Sequence, residues 1–128
     1  MLDTDICIWI IRGRESVIAR LRAESPDDVA IASMTEAELR FGALNSSDPE
    51  RAGARVEAFL EAPFAVLPFD GAAARAHAEA RMATRGRRIG EADLVIASTA
   101  IAAGYTLVTG NVREFARVPR LTHVSWVA

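Results

Sequence analysis

Lysine is absent from this chain of 128 residues, and cysteine occurs only once. All 15 basic residues are therefore arginines. Because Cys7 is the single cysteine, an internal disulfide bond is excluded, and we expect a reducing, cytoplasmic location. No apolar run approaches the length of a membrane span, and we recognise no signal peptide before the first acids, so we expect no membrane association.

The composition is that of a globular protein, with 51% hydrophobic and 25% charged residues and a mean hydropathy of +0.15. The length suits one hydrophobic core, so we predict a single domain over residues 1–128. The net charge of −2 provides no overall attraction to nucleic acid. Arginine nevertheless binds phosphate through paired hydrogen bonds, so RNA binding and the compositional bias of a GC-rich genome both remain open.

Short apolar segments alternate with segments of helical character along the chain. We predict strands at 2–3, 29–32, 64–68, 105–109 and 123–126. We predict helices at 4–12, 15–23, 35–44, 49–61, 70–85, 91–103 and 111–115. This alternation predicts an α/β fold with right-handed crossovers, in which helices cover both faces of a mostly parallel sheet of four or five strands.

Four acids fall where this arrangement brings the carboxyl ends of strands and the first turns of helices to one edge. Asp3 ends the first strand, and Glu38 lies in the first turn of the helix after the second. Asp93 lies in the first turn of the helix before the fourth strand, and Glu114 follows that strand. Ligands of such folds bind at this edge. Clustered carboxylates need a cation, and oxygen ligands without His or Cys favour Mg²⁺ or Mn²⁺, which activates water for phosphodiester hydrolysis.

Each acid also has an ordinary structural interpretation. The segments 35–38 and 111–114 both have the pattern of a capping box, in which the acid only bonds a backbone N–H. Asp93 near a helix start gains about 0.3–1 kcal/mol from the helix dipole, and Asp3 fits a turn. Because four such coincidences on one edge are less plausible than a shared site, we favour the site.

The motifs around these acids carry a family resemblance. The four segments are 2–8 (LDTDICI), 35–43 (TEAELRFGA), 86–97 (GRRIGEADLVIA) and 107–118 (LVTGNVREFARV). In this order they resemble the motifs of PIN-domain ribonucleases, specifically the VapC-type toxins of bacterial toxin–antitoxin pairs. One motif alone is a weak signal, but the four together span essentially the whole chain.

The resemblance implies a three-layer α/β/α PIN-like fold and a Mg²⁺-dependent endoribonuclease, with Mn²⁺ as a substitute metal, acting as the toxin of such a pair. It implies that Asp3 and Asp93 bind the metal directly and that Glu38 and Glu114 complete the catalytic site, directly or through water. It implies polar neighbours that orient ligands or water, namely Thr4, Asp5, Thr109 and Asn111. It also implies an RNA substrate such as a tRNA, a homodimer, and a cognate antitoxin protein that fills the site.

The chain departs from the family pattern at three positions. Asp5 and Gly110 each stand where asparagine is common, and Glu91 stands where proline is common. Asp5 adds negative charge beside Asp3, and Gly110 predicts a looser loop before Glu114. Glu91 is either a group behind the site or a first-turn helix acid, and we favour the helix acid.

Several other residues are candidates for binding or for packing. Arginines beside the acidic motifs are candidates for RNA phosphate contacts, although solvated arginines need no function. They are Arg85, Arg87, Arg88 and Arg113. We interpret Trp9 and Trp126 as packing residues and Cys7 as a small core residue. His77 and His123 are expected to be isolated, without a general-base role.

Rival classes of protein share parts of this pattern. The Asp3-x-Asp5 pair after an apolar strand also resembles haloacid-dehalogenase-type phosphatases, and receiver domains likewise have an acidic Mg²⁺ pocket on a parallel sheet. Both classes use a lysine in the site, which this chain lacks. A non-catalytic PIN-like module that binds RNA or protein is the stronger alternative, but the presence of all four acids disfavours it.

Overall fold

In the computed structural model, which describes residues 1–127, seven α-helices alternate with four short β-strands. The helices are α1 (Thr4–Ile11), α2 (Glu15–Arg22), α3 (Ser33–Leu44), α4 (Pro49–Leu60), α5 (Gly71–Ala83), α6 (Glu91–Ala103) and α7 (Val112–Phe115). The strands are β1 (Ala30–Ala32), β2 (Ala65–Leu67), β3 (Leu107–Val108) and β4 (His123–Val124). A 3₁₀ turn at Pro26–Asp28 precedes β1. No helix within the described range is long and apolar enough to cross a membrane.

The strands are parallel, as predicted, but they form two short pairs rather than one clear sheet of four or five strands. β1 pairs with β2, and β3 pairs with β4. Leu2 lies between the pairs and makes single parallel bridges to Ile31 and Val108. The expected first strand at 2–3 is reduced to this one residue, because Asp3 already caps α1.

The core lies on both faces of the strands, because successive strand residues point to opposite sides. Ile31 and Val108 belong to a cluster with residues of α1–α4, whereas Ala32 and Leu107 belong to a second cluster with residues of α5 and α6. Phe115 of α7, which is fully buried, belongs to this second cluster. Helices therefore cover both faces of the strands, and the first turns of α1 and α6 reach the carboxyl edge.

Candidate active site

Asp3 stands where the chain leaves its strand position and begins α1. Its backbone N–H donates to Val108 O at 2.8 Å, which fixes the backbone beside β3. Its Oδ1 accepts a hydrogen bond from the Thr4 N–H at 2.8 Å, and its Oδ2 accepts from Thr109 Oγ1 at 2.7 Å. The residue is only 4% exposed. Asp3 is therefore a buried carboxylate that the surrounding residues hold in one orientation.

Two of the acids bind their protons more tightly than ordinary carboxyl groups. The pKa of Asp3 is raised to about 7, mainly by burial and to a smaller extent by the charges of Asp5 and Asp93. Burial also raises the pKa of Asp93 to about 6, with smaller contributions from neighbouring charges. Those charges are Glu114, Glu38 and Asp5. Because interactions of this kind fall off with distance, Asp93 lies near Asp5, Glu38 and Glu114, and Asp3 lies near Asp5 and Asp93.

Glu38 is bonded to α1 and does not cap its own helix. Helix α3 begins at Ser33, directly after β1, and its N-cap is Ala32, so the predicted capping box is wrong. Thr35 is instead buried inside the helix. Thr4 Oγ1 donates to Glu38 Oε1 at 2.6 Å and lies 3.1 Å from the Thr35 hydroxyl oxygen. This contact ties the second motif to the first.

Glu114 receives hydrogen bonds from two other segments. Asn111 Nδ2 donates to its Oε2 at 2.8 Å, and the Gly90 backbone N–H donates to its Oε1 at 3.0 Å. The Asn111 side chain makes no cap bond to α7, so the second predicted capping box is also wrong. Because Gly90 is the N-cap of α6, the bond from its N–H holds Glu114 beside the helix that carries Asp93.

The segment 109–111 connects the polar neighbours with the acids. Thr109 Oγ1, which donates to Asp3, also accepts a hydrogen bond from the Asn111 N–H at 2.9 Å. The Gly110 N–H donates to Asp5 Oδ2 at 2.9 Å. Within the described residues, the other carboxylate oxygen, Asp5 Oδ1, is buried without a hydrogen-bond partner. Burial is the main cause that raises the pKa of Asp5.

The chemistry of these donors fits a hard divalent cation. Within residues 1–127, no three Asp, Glu, His or Cys side chains have the spacing of a closed metal cluster. The site nevertheless offers carboxylate oxygens, three acids with raised pKa values, and the unpaired Asp5 Oδ1. A bound cation would offset the burial and the repulsion that raise these pKa values, so the residues fit the metal implied by the sequence motifs.

The four candidate arginines lie in the segments that precede Asp93 and Glu114, and all four are exposed. Three of them lie in the loop between α5 and α6, and one lies in α7. They are Arg85, Arg87, Arg88 and Arg113. Arg117 Nη1 donates to the carbonyl oxygen of Arg88 at 2.7 Å, which ties the basic loop to the chain after α7. The loop is therefore both positively charged and anchored.

The remaining candidates are distributed as follows. Cys7 and Trp126 are buried in the core as predicted, and burial raises the pKa of the Cys7 thiol. His77 is not isolated, because its Nε2 lies 3.0 Å from Glu91 Oε1 on α6. Glu91 remains an exposed first-turn acid, so the helix interpretation of this residue agrees with the structure.

Sequence reasoning missed the backbone donors at the site. The N–H groups of Gly90 and Gly110 donate to Glu114 and Asp5, respectively. The only signal for them is indirect, because both glycines lie inside the motifs that resemble the family. A cavity of about 460 Å³ between Met1, Tyr105 and other residues lies away from these acids. Cavity size is therefore no guide to the candidate site here.

Comparison with known proteins assigns the family. The PIN domain model matches residues 1–121. The tRNA(fMet)-specific endonuclease VapC of Shigella flexneri is 38% identical over 128 residues, which cover 98% of this chain and 96% of that protein. The crystal structure of VapBC2 from Rickettsia felis, bound to a promoter DNA fragment, matches with a TM-score of 0.91 and 34% identity over 98% of this chain and 97% of that one. DNA-bound VapBC from Salmonella typhimurium matches with a TM-score of 0.90 and 36% identity over 98% and 96% of the two chains. The chain therefore belongs to the PIN-domain family, and within it to the VapC-type ribonuclease toxins of toxin–antitoxin systems.

Proposed function

We propose that this chain is a Mg²⁺-dependent endoribonuclease that hydrolyses RNA phosphodiester bonds as the toxin of a toxin–antitoxin pair. The observation that carries the proposal is a set of hydrogen bonds that links the segments bearing four acids. Thr4 bonds both Asp3 and Glu38, Thr109 bonds Asp3, and the Gly90 N–H at the start of α6 bonds Glu114. The acids are Asp3, Glu38, Asp93 and Glu114. Neighbouring carboxylates repel one another unless a cation or bound protons offset their charge.

Asp3 and Asp93 would hold the cation directly. Asp3 keeps a free lone pair on each oxygen after its bonds from Thr4 and Thr109. Burial and neighbouring charges, with no hydrogen bond among the causes, set the pKa of Asp93, so its oxygens are available to a ligand. When bound, Mg²⁺ would activate water and stabilise the charge that develops on the phosphate.

The two glutamates would complete the site around the cation and its water. Thr4 donates to Glu38 Oε1, which leaves Oε2 to accept a hydrogen bond from water. Asn111 and the Gly90 N–H fix both oxygens of Glu114, which keeps this carboxylate turned toward Asp93. Fixed acceptors of this kind orient a water for attack without any reorganisation during the reaction.

The basic residues beside the acids would bind the substrate backbone. Guanidinium groups pair with phosphate oxygens in a bidentate manner, and the four arginines named above are exposed in the segments that precede Asp93 and Glu114. The 38% identity to an endonuclease whose name specifies tRNA(fMet) supports a folded tRNA as the class of substrate. Shape and single-stranded loops, rather than grooves, would then define the target.

A cognate antitoxin and a second copy of the chain are the proposed protein partners. Phe41 and Leu44 on α3 are 67% and 74% exposed, which is unusual for large apolar side chains. A groove of about 290 Å³ beside α3 is lined by apolar residues and by polar ones, namely Arg12, Glu38, Ser46 and Arg55. The similar crystal structures are of VapBC complexes, which supports an antitoxin as a partner. Light scattering of the pure chain, alone and with its antitoxin, measures both assemblies, and a chain that stays monomeric at high concentration would contradict the homodimer.

Cleavage of a total RNA pool tests the proposed activity. The pure chain is incubated with Mg²⁺, with EDTA, and as the Asp93→Asn variant. We expect discrete fragments only from the unmodified chain with Mg²⁺, because both the cation and its ligand are needed. Cleavage that persists in EDTA or in the variant would contradict the proposal. If the folded chain binds Mg²⁺ and RNA but leaves the RNA intact, a binding module is the correct function.

A further inference from the structure

Three hydrogen bonds join the segment 109–111 to the acids, and each one reaches a different acid. Thr109 donates to Asp3 at 2.7 Å, and the Gly110 N–H donates to Asp5 at 2.9 Å. The Asn111 side chain donates to Glu114 at 2.8 Å. The position of this segment therefore determines the position of the Asp3 carboxylate relative to the Glu114 carboxylate. The bond to Asp5 is the only one of the three made by the backbone of the segment.

The indole of Trp9 closes the space over the same glycine. A Cβ atom added to Gly110 would lie 2.7 Å from Trp9 Cη2 and 2.8 Å from Asp5 Oδ2, which real Cβ contacts do not tolerate. Gly110 does not have a positive φ, unlike Gly13 and other glycines of the chain. The glycine is therefore needed for space and not for an unusual backbone conformation.

The Trp9 ring is itself held in position. The Arg14 guanidinium lies 4.7 Å from the ring centroid, at a distance typical of a cation–π contact. Trp9 also packs, partly buried, against the α1–α4 core cluster. The ring therefore lies in contact with both the core and the space beside Gly110. The sequence-based expectation of a looser loop at Gly110 stays a prediction.

We propose that Asp5, Trp9 and Gly110 form a loop lock that positions residues 109–111 and thereby sets the geometry of Asp3 and Glu114. The role in catalysis rests on the nuclease function proposed above. Asp5 acts through the Gly110 N–H and is a positioning residue, and Trp9 restricts position 110 to glycine. Neither Trp9 nor Gly110 would touch RNA or metal.

Two glycine-to-alanine variants test whether the contact between Trp9 and position 110 matters for activity. Gly110→Ala adds a methyl group against Trp9, whereas the matched control Gly53→Ala adds one to α4 where nothing lies within 4 Å. We expect kcat to fall by about a hundredfold for the first variant, as for a 1 Å misplacement of a catalytic group, with little change in KM. The control keeps wild-type activity. Equal activity of the two variants would overturn the lock.

A second substitution at Trp9 separates positioning from general damage. Trp9→Leu removes the ring atoms that the new methyl group would meet, so Trp9→Leu/Gly110→Ala should recover at least about tenfold in kcat over Gly110→Ala alone. If the two substitutions acted independently of each other, their losses would add and the double variant would be less active than either single variant. A folded double variant no more active than Gly110→Ala would refute the proposal.

Two substitutions of Asp5 test the hydrogen bond while Trp9 and Gly110 are left unchanged. Asp5→Asn keeps an oxygen that accepts from the Gly110 N–H, whereas Asp5→Ala does not. Exchange of the Gly110 amide hydrogen, followed by NMR without metal or RNA, should quicken about tenfold in Asp5→Ala and stay slow in Asp5→Asn. If the Gly110 amide exchanges at the same rate in both variants, Asp5 does not act through Gly110.

These readouts distinguish failure of the lock from failure of the proposed function. Amide exchange needs neither metal nor RNA, so it reports on the lock even where no RNA is cleaved. A wild-type chain that shows the predicted exchange but cleaves no RNA would refute the nuclease and leave the contact established. A chain that cleaves RNA while its Gly110 amide exchanges freely would refute the lock alone. If Gly110→Ala fails to fold, the Asp5 pair decides the outcome.

Discussion

Replacing Asp93 by asparagine removes a charge that burial and nearby carboxylates oppose. Because the pKa of Asp93 is raised from 3.8 to about 6, ionisation in the folded state costs up to about 3 kcal/mol. The amide loses no hydrogen bond that contributes to this pKa. Two effects reduce the stability that Asp93→Asn gains. Solvent screens the charge of a half-buried group, and the amide loses the favourable interaction of the carboxylate with the helix dipole. We therefore expect Asp93→Asn to stabilise the metal-free chain by about 1 kcal/mol at pH 8.

The sign of the pH dependence follows from the direction of the pKa shift. The folded-state pKa of Asp93 lies above the unfolded value, so the folded state binds the proton more tightly. Wild-type stability therefore falls as the pH rises from about 4 to about 6, and the advantage of the variant grows over the same window. At pH 5 this advantage should be about half of its value at pH 8.

Urea unfolding in EDTA at pH 5 and pH 8 measures this difference. Asp27→Asn makes the same chemical change at an exposed position on the 3₁₀ turn, and we expect it to stay within about 0.5 kcal/mol of wild type. Adding Mg²⁺ should stabilise the wild type and not Asp93→Asn, which reverses their order. If the Asp93 variant is less stable than wild type at pH 8 in EDTA, the repulsion inferred at this site is absent.

Three further outcomes are expected. Thr109→Val, which removes the buried donor to Asp3, should cost about 1–3 kcal/mol in urea unfolding and raise the pKa of Asp3 further in an NMR titration. Binding of Mg²⁺ at pH 7 should release about half a proton from Asp3, and almost none at pH 9, when calorimetry is run in buffers of different ionisation enthalpy. Equal release at both values would contradict the raised pKa. Arg87→Gln and Arg88→Gln should each weaken RNA binding and lower its salt slope by about 1, whereas Arg22→Gln, exposed on α2, should change neither.

The helix boundaries were the part of the fold that local sequence determined best. Asp48 accepts a hydrogen bond from the Arg51 N–H before Pro49, and Asp70 accepts from the Ala73 N–H at 2.9 Å, as helix-start residues are expected to do. Gly104 ends α6 with a φ of 74°, a conformation that favours glycine. These signals are local, so one sequence is enough to read them.

Strand extent depended on partners that the sequence does not reveal. The predicted strand at 105–109 is only Leu107–Val108, and the one at 123–126 is only His123–Val124. Each strand is only as long as its pairing with the neighbouring strand. Within residues 1–127, the two strand pairs are joined through bridges of Leu2. An apolar run gives the position of a buried strand, whereas ladder pairing sets its length.

The four acids were predicted from their distance to a strand end or a helix start, and that they form one site remains a prediction. Their hydrogen bonds were not predicted. The capping boxes failed because Thr4 and Gly90, which are distant in sequence, donate to Glu38 and Glu114. The contact between His77 and Glu91 was not predicted for the same reason, because the two residues are distant in sequence. Such pairings depend on the packing of whole helices, which motif spacing does not encode.

The central claim is that four distant acids act as one Mg²⁺ site. Calorimetric titration of Mg²⁺ into the RNA-free chain tests it most directly, with the wild type, Asp3→Asn, Asp93→Asn and the control Asp27→Asn. We predict one saturable binding event that the control retains and that either site variant weakens by at least about tenfold. Equal affinity in all four proteins, or no saturable binding by the wild type, would contradict the account.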